Sequence, residues 1–147
     1  MASPRGSRSR KGVGTDWSAL ARTAEGMRAH AYAPYSKYTV GAALIAEMAD
    51  GSLREFTGAN VENASYGLAI CAERTAVASA VIAGARCIRA IAIATRGPRP
   101  AAPCGMCRQA LAEFADDLPI ALVVRGKLVR KTRLSKLLPD AFRRGSL

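Results

Sequence analysis

The chain has a single histidine, a single tryptophan and seven other aromatic residues in 147 positions. With His30 as the only imidazole, one chain cannot build a metal site on several histidines, and any histidine triad must use that residue. His30 falls at the end of the first expected helix, where an imidazole serves the helix dipole. So few aromatics also leave little material for stacking bases along a nucleic-acid track. Long apolar runs are missing too. None approaches the roughly 20 residues that span a bilayer, so no membrane association is expected. The first twelve residues, Met-Ala-Ser-Pro-Arg-Gly-Ser-Arg-Ser-Arg-Lys-Gly, have basic side chains but no apolar core. They do not read as a secretory signal, and a cytoplasmic location is expected. Cysteine is limited to Cys71, Cys87, Cys104 and Cys107. In a reducing compartment these stay as thiols, and a disulfide framework is set aside.

Half the residues are apolar, and the length suits one domain with one core. The formal charge of +11 is unevenly spread. Residues 1–14 contribute +4, residues 15–124 contribute 0, and residues 125–147 contribute +7. The first segment, rich in Ser, Gly and Arg, is expected to be a disordered basic tail. The domain proper is expected over residues 15–147. Because the segment holding the cysteines is neutral, the basic excess reads as solvated surface, and no polynucleotide partner is expected.

Thr15 is the expected N-cap of a helix reaching about residue 31, with Asp16 in its first turn. Pro34 turns the chain away from helix. Residues 40–46 and 53–57 read as strands joined by a hairpin at Asp50-Gly51. Residues 58–68 read as a polar loop. A small-residue helix follows over 71–83, with Gly84 just past its end. Residues 88–94 are apolar almost throughout, the pattern of a strand buried on both faces. A proline-rich loop leads to a helix over 105–114, strands over 120–124 and 128–132, and a short helix over 134–138. This order predicts an α/β fold with one mixed sheet covered by helices.

Two segments carry the chemistry. Pro103-Cys104-Gly105-Met106-Cys107 puts two thiols on one face of a helical first turn. Cys71-Ala72-Glu73 puts a third thiol at another helix start, with a carboxylate two residues on. Three thiolates hold Zn²⁺ and leave its fourth position open, the arrangement of a catalytic site. They also weaken its Lewis acidity. Two helix N-termini, each equivalent to about half a positive charge, offset part of that, and Arg74 can offset more. Glu73 is then placed to shuttle protons, and a nearby anionic site raises its pKa. Cys87 has no partner at ligand spacing and reads as a small buried hydrophobe.

The paired Cys-x-Glu and Pro-Cys-x-x-Cys segments match the signature of the zinc nucleobase deaminases. Further segments sharpen the match: Tyr35-Ser36-Lys37-Tyr38-Thr39-Val40-Gly41, Asn60-Val61-Glu62-Asn63-Ala64, and Leu137-Leu138-Pro139-Asp140-Ala141-Phe142. Over about residues 16–142 the sequence resembles the small homotetrameric zinc-dependent cytidine deaminases. That resemblance implies a three-layer α/β/α sandwich with a five-stranded mixed sheet, and one Zn²⁺ per chain on Cys71, Cys104 and Cys107. It implies Glu73 as catalytic proton shuttle. It places Asn60, Val61 and Glu62 at the ribose, Tyr38 against the nucleoside, and the Ala72 backbone at the base edge. Tyr38 stands where the family usually has Phe. Tyr66 and Phe142 match positions that complete a neighbouring subunit's site, and Arg74 supports the metal ligands. The implied reaction converts cytidine and 2′-deoxycytidine to the uridine forms with release of ammonia, in pyrimidine salvage.

Three other chemistries fit part of the sequence. A thiol–disulfide oxidoreductase would use Cys104 and Cys107 but leaves Cys71 and Glu73 idle. A deaminase of a cytosine nucleoside antibiotic would share the zinc site. A deaminase of polynucleotide cytosine would explain the charge but not the Asn60/Glu62 pair.

Overall fold

The computed structural model describes residues 14–147. The expected basic tail lies, but for Gly14, outside those residues. The elements in chain order are α1 (Trp17–Met27), β1 (Val40–Glu47), β2 (Leu53–Ala59), α2 (Ala72–Ile82), β3 (Cys87–Thr95), α3 (Gly105–Ala112), β4 (Pro119–Val124), β5 (Lys127–Arg133) and α4 (Leu134–Leu137). The strands form one sheet in the order β2-β1-β3-β4-β5. Only the β3/β4 pair is parallel; the others are antiparallel. The expected five-stranded mixed sheet is present.

Side chains alternate across the pleat and split the core in two. Ala43, Ala90, Ala92, Ala94, Ala121 and Val123 face Leu20, Ala21 and Ala24 of α1. Leu44, Ile91, Ile93, Ile120 and Leu122 face Ala72, Ala76 and Val77 of α2 and Leu111 of α3. The result is helix, sheet, helix. β3 is buried along both faces except at Cys87, which is half-buried, and Arg89, as the apolar run over 88–94 foretold.

Topology places the helix starts. β2 and β3 both run antiparallel to β1, so they are parallel to each other and end at one sheet edge. α2 follows β2 and α3 follows β3, and both lie on the same face. Their N-termini therefore meet at that edge, outside the carboxyl ends of the strands, where open α/β sheets bind ligands. Gly58 makes the fit possible. A Cβ there would stand 2.4 Å from the Ala72 oxygen and the Ala76 nitrogen, so only glycine lets α2 lie so close to β2.

Several boundaries differ from the sequence reading. Asp16, not Thr15, is the N-cap of α1; its carboxylate accepts from the Ala19 N–H at 3.0 Å. The α-helix stops at Met27 and tightens into a 3-10 turn, Arg28–His30. There the Arg28 side chain pairs with Glu25 one turn back and reaches Thr39, 11 residues on, which local periodicity does not carry. β2 runs two residues further than expected because Gly58 and Ala59 pair with Ala42 and Gly41. Gly84 ends α2 in the left-handed conformation, φ +100°, as expected of a residue just past a helix.

Candidate active site and metal centre

Cys71 and Cys104 are the N-cap residues of α2 and α3. Neither makes a side-chain capping hydrogen bond, so both sulfurs are left for another partner. Cys107 is one turn into α3 and fully buried. The three sulfurs lie within 4.8 Å of one another, and those of Cys71 and Cys104 are 3.9 Å apart. Tetrahedral ligands at the usual Zn–S distance of about 2.3 Å stand about 3.8 Å from each other, so the donor set fits zinc. Among the described residues this is the one cluster of metal-binding geometry. Cys87 and His30 are not part of it, and all four cysteines are free thiols.

The electrostatics favour thiolate here. The Cys71 thiol is pulled down to about 5, first by hydrogen bonding from Cys107, then from Cys104 and from the Arg74 guanidinium. Cys107 is held up by its hydrogen bond to Cys71 and by burial. Arg74 donates from Nη2 to the Ala69 carbonyl at 3.1 Å, while its Nε is buried without a partner. The guanidinium interacts with the Cys71 and Cys107 sulfurs, which suits a site built to hold negative charge. Glu73 is 5% exposed, and burial raises its pKa, with the Cys71 thiolate adding to the effect.

A cleft of about 350 Å³ opens over this cluster. Tyr38, Asn60, Val61, Glu62, Ala72 and Glu73 line it with Cys71 and Cys104, so most of the expected site residues converge. Asn60 clamps the start of β1: its Oδ1 accepts from Val40 N–H at 2.8 Å, and its Nδ2 donates to the Tyr38 carbonyl at 2.9 Å. One N–H and one lone pair of the amide remain. Glu62 accepts from the Tyr35 and Ser36 N–H groups and from the Ser36 hydroxyl. These bonds, the Ser36 hydroxyl foremost, hold its carboxyl below the ordinary range.

Tyr66 and Phe142 do not line this cleft. Tyr66 is 77% exposed and packs edge-on against Tyr35, and Phe142 is 59% exposed. Phe142 is tied in through its backbone, whose carbonyl accepts from Gln109 at 2.7 Å.

Sequence reasoning missed several contributors. Thr95, 2% exposed at the end of β3, lines the cleft with its hydroxyl unpartnered. Arg108, next to Cys107, donates to the Pro103 and Leu137 carbonyls and holds the loop before Cys104 against α4. Arg96 donates to the carbonyl of Lys37, which has φ +57°. The one available signal was position: Arg108 follows a ligand as Arg74 follows Glu73.

Residues 15–122 match the family described as the cytidine and deoxycytidylate deaminase zinc-binding region. The chain belongs to that family. Its relatives include a cytidine deaminase of Sporosarcina psychrophila, 44% identical over 82% of this chain and 86% of that protein. One from Halalkalibacterium halodurans is 45% identical over 86% of this chain and 94% of that protein. Among solved structures, cytidine deaminase from Burkholderia pseudomallei superposes with a TM-score of 0.78 at 47% identity, covering 87% of this chain and all of that one. The deaminase family's zinc-binding region thus coincides with the Cys71, Cys104 and Cys107 cluster, and Zn²⁺ is the ion it fits.

Proposed function

We propose that this chain hydrolyses cytidine and 2′-deoxycytidine to uridine and 2′-deoxyuridine, releasing ammonia, as an enzyme of pyrimidine salvage. The observation that supports it best is the pairing of three clustered thiols with a buried Glu73 whose proton affinity is raised. Zn²⁺ bound there supplies the Lewis acidity that makes water a nucleophile near neutral pH.

Glu73 takes a proton from the attacking water and passes it to the ring nitrogen. It then delivers the second proton to the exocyclic amine, so the C–N bond breaks and ammonia leaves. The raised pKa suits both directions of transfer. Ala72 offers its backbone to the base edge. Tyr38 forms a wall against the nucleoside, and its hydroxyl adds a polar handle. Asn60 and Glu62 take the ribose hydroxyls with the hydrogen-bonding capacity left after bracing the 35–40 segment, and Val61 packs between them. Arg74 steadies the Cys71 thiolate.

Tyr66 and Phe142, exposed in the single chain, serve a neighbouring subunit's cleft in a homotetramer. A cytoplasmic enzyme fits three gathered free thiols. No helix among the described residues is long and apolar enough to cross a membrane.

Ultraviolet loss of cytidine by purified protein, with and without a zinc chelator, tests the reading. Turnover that the chelator abolishes and added zinc restores supports it. A zinc-free protein with a redox-active Cys104/Cys107 pair and no turnover would make it a thiol oxidoreductase instead.

A further inference from the structure

Much of the basic excess of residues 125–147 lies on one edge strand and the turn before it. β5 is an edge strand, its outer side unpaired among the described residues. Arg125, Lys127, Arg130 and Lys131, on β5 and the turn before it, are exposed. None of the four is in an ion pair among the described residues; the next cation, Arg133, is bound by Asp117. The sequence from 125 to 139 holds no acid. Glu25 Cγ comes to 3.9 Å from where a Gly126 Cβ would stand, and its Oε1 is bound by Arg28.

Lys131 Nζ lies 5.0 Å above the Trp17 ring, so the chain enters the fold beside β5. Gly14, the first described residue, is three positions from Trp17, at most about 10 Å of chain. The sequence before it carries Arg5, Arg8, Arg10 and Lys11. Arg125, Lys127, Arg130 and Lys131 thus crowd like charge along one edge of the sheet, while residues 15–124 sum to zero. Such crowding opposes folding through mutual repulsion, and a polyanion relieves it.

We propose that the β5 edge docks the phosphate backbone of a polynucleotide, as a binding surface separate from the catalytic cleft. β5 rises about 3.3 Å per residue, so Lys127 to Lys131 present cations over about 13 Å, the span of about three phosphates. No residue of β5 lines the cleft. With one half-buried tryptophan as its only aromatic, the edge contacts phosphates without reading bases. The surface holds the enzyme to RNA; it does not supply its substrate.

The test uses a fluorescein-labelled single-stranded RNA of roughly 20 nucleotides, made of adenine and uracil only, so that the deaminase site finds no cytosine. Anisotropy titrations of the full-length zinc-loaded protein between about 50 and 200 mM salt give affinity and its salt slope. The expected result is steeply salt-dependent binding. In the variant Lys127→Ser/Arg130→Ser/Lys131→Ser, affinity falls at least about tenfold and the slope drops by about 2, the loss of three single-strand contacts. Cytidine turnover stays unchanged. A control, Arg54→Ser/Arg86→Ser/Arg99→Ser, removes as much charge elsewhere and keeps most of the affinity. Equal losses in both variants reduce the effect to net charge and overturn the proposal, as does wild-type protein without salt-dependent binding. If the edge variant fails to fold, ultraviolet cross-linking of wild-type protein decides: adducts on residues 125–133 support the surface, and adducts confined elsewhere refute it.

Discussion

The N-terminus of α1 and those of α2 and α3 are built to different ends. Asp16 caps α1 in the ordinary way, its carboxylate satisfying a free helix N–H. The other two helices have cysteine at the same position, with no side-chain capping bond. The positive dipole ends of these helices carry the cysteine sulfurs instead. α4 shows a third solution: Asp117, 18 residues upstream, accepts from the Ser135 N–H at 3.1 Å. Helix capping is thus a stability device at α1 and α4. At α2 and α3 it has been given up to make a metal site. The lesson is that an absent cap at two adjacent helix starts is itself a functional signal.

Four substitutions and one pH experiment break or sharpen this contrast. The largest effect is expected from Cys104→Ala, which should lose both bound zinc and cytidine turnover; metal analysis of the purified variant checks it, and retained zinc counts against the sulfur triad. Glu73→Gln should cut kcat by about 10²- to 10⁴-fold while zinc stays bound, read by steady-state kinetics beside metal content. Gly58→Ala pushes a methyl into the α2 backbone and should cost about 1–3 kcal/mol. It should also lower turnover by shifting Cys71, so a melting temperature at the wild-type value would contradict the close approach. Asp16→Ala removes an ordinary cap and should cost about 1 kcal/mol in denaturant unfolding, with kcat untouched.

The smallest effect belongs to Asp117. Hydrogen bonding from Arg133, outweighing burial, lowers its pKa below the usual carboxylate value. A lowered folded-state pKa contributes stability above the unfolded value near 4, lost as pH falls through the folded one. More than a third of this carboxylate is exposed, so the contribution is only about 0.2–1 kcal/mol. The stability gap between wild type and Asp117→Asn should therefore be present at neutral pH and close in acid.

Much of this was legible in the linear chain. The hairpin at Asp50-Gly51, the buried run of β3, the helix-ending Gly84 and the three cysteines at helix starts all follow from local chemistry. The misses share a cause. α1 gives way to a 3-10 turn at Arg28, whose side chain reaches Thr39, and β2 is lengthened by pairing Gly58 with Ala42 across the sheet. Asn60 and Glu62 were expected at the sugar, yet both also brace the 35–40 segment, a structural duty set by residues 20 or more positions away. Thr95 gave no signal, because a threonine ending a strand looks ordinary until a cleft opens beside it.

What the sequence determined alone was which residues are sulfur, carboxylate or small, and which of them begin helices, because capping and periodicity act within a few residues. Tertiary packing alone brings Cys71 and Cys104, 33 positions apart, to 3.9 Å from each other, and sets the cations of β5 along an open sheet edge beside Trp17. Those distances come from two strands ending at one side of a sheet and from a glycine that lets a helix lie flat. Both depend on packing between segments that no local rule connects.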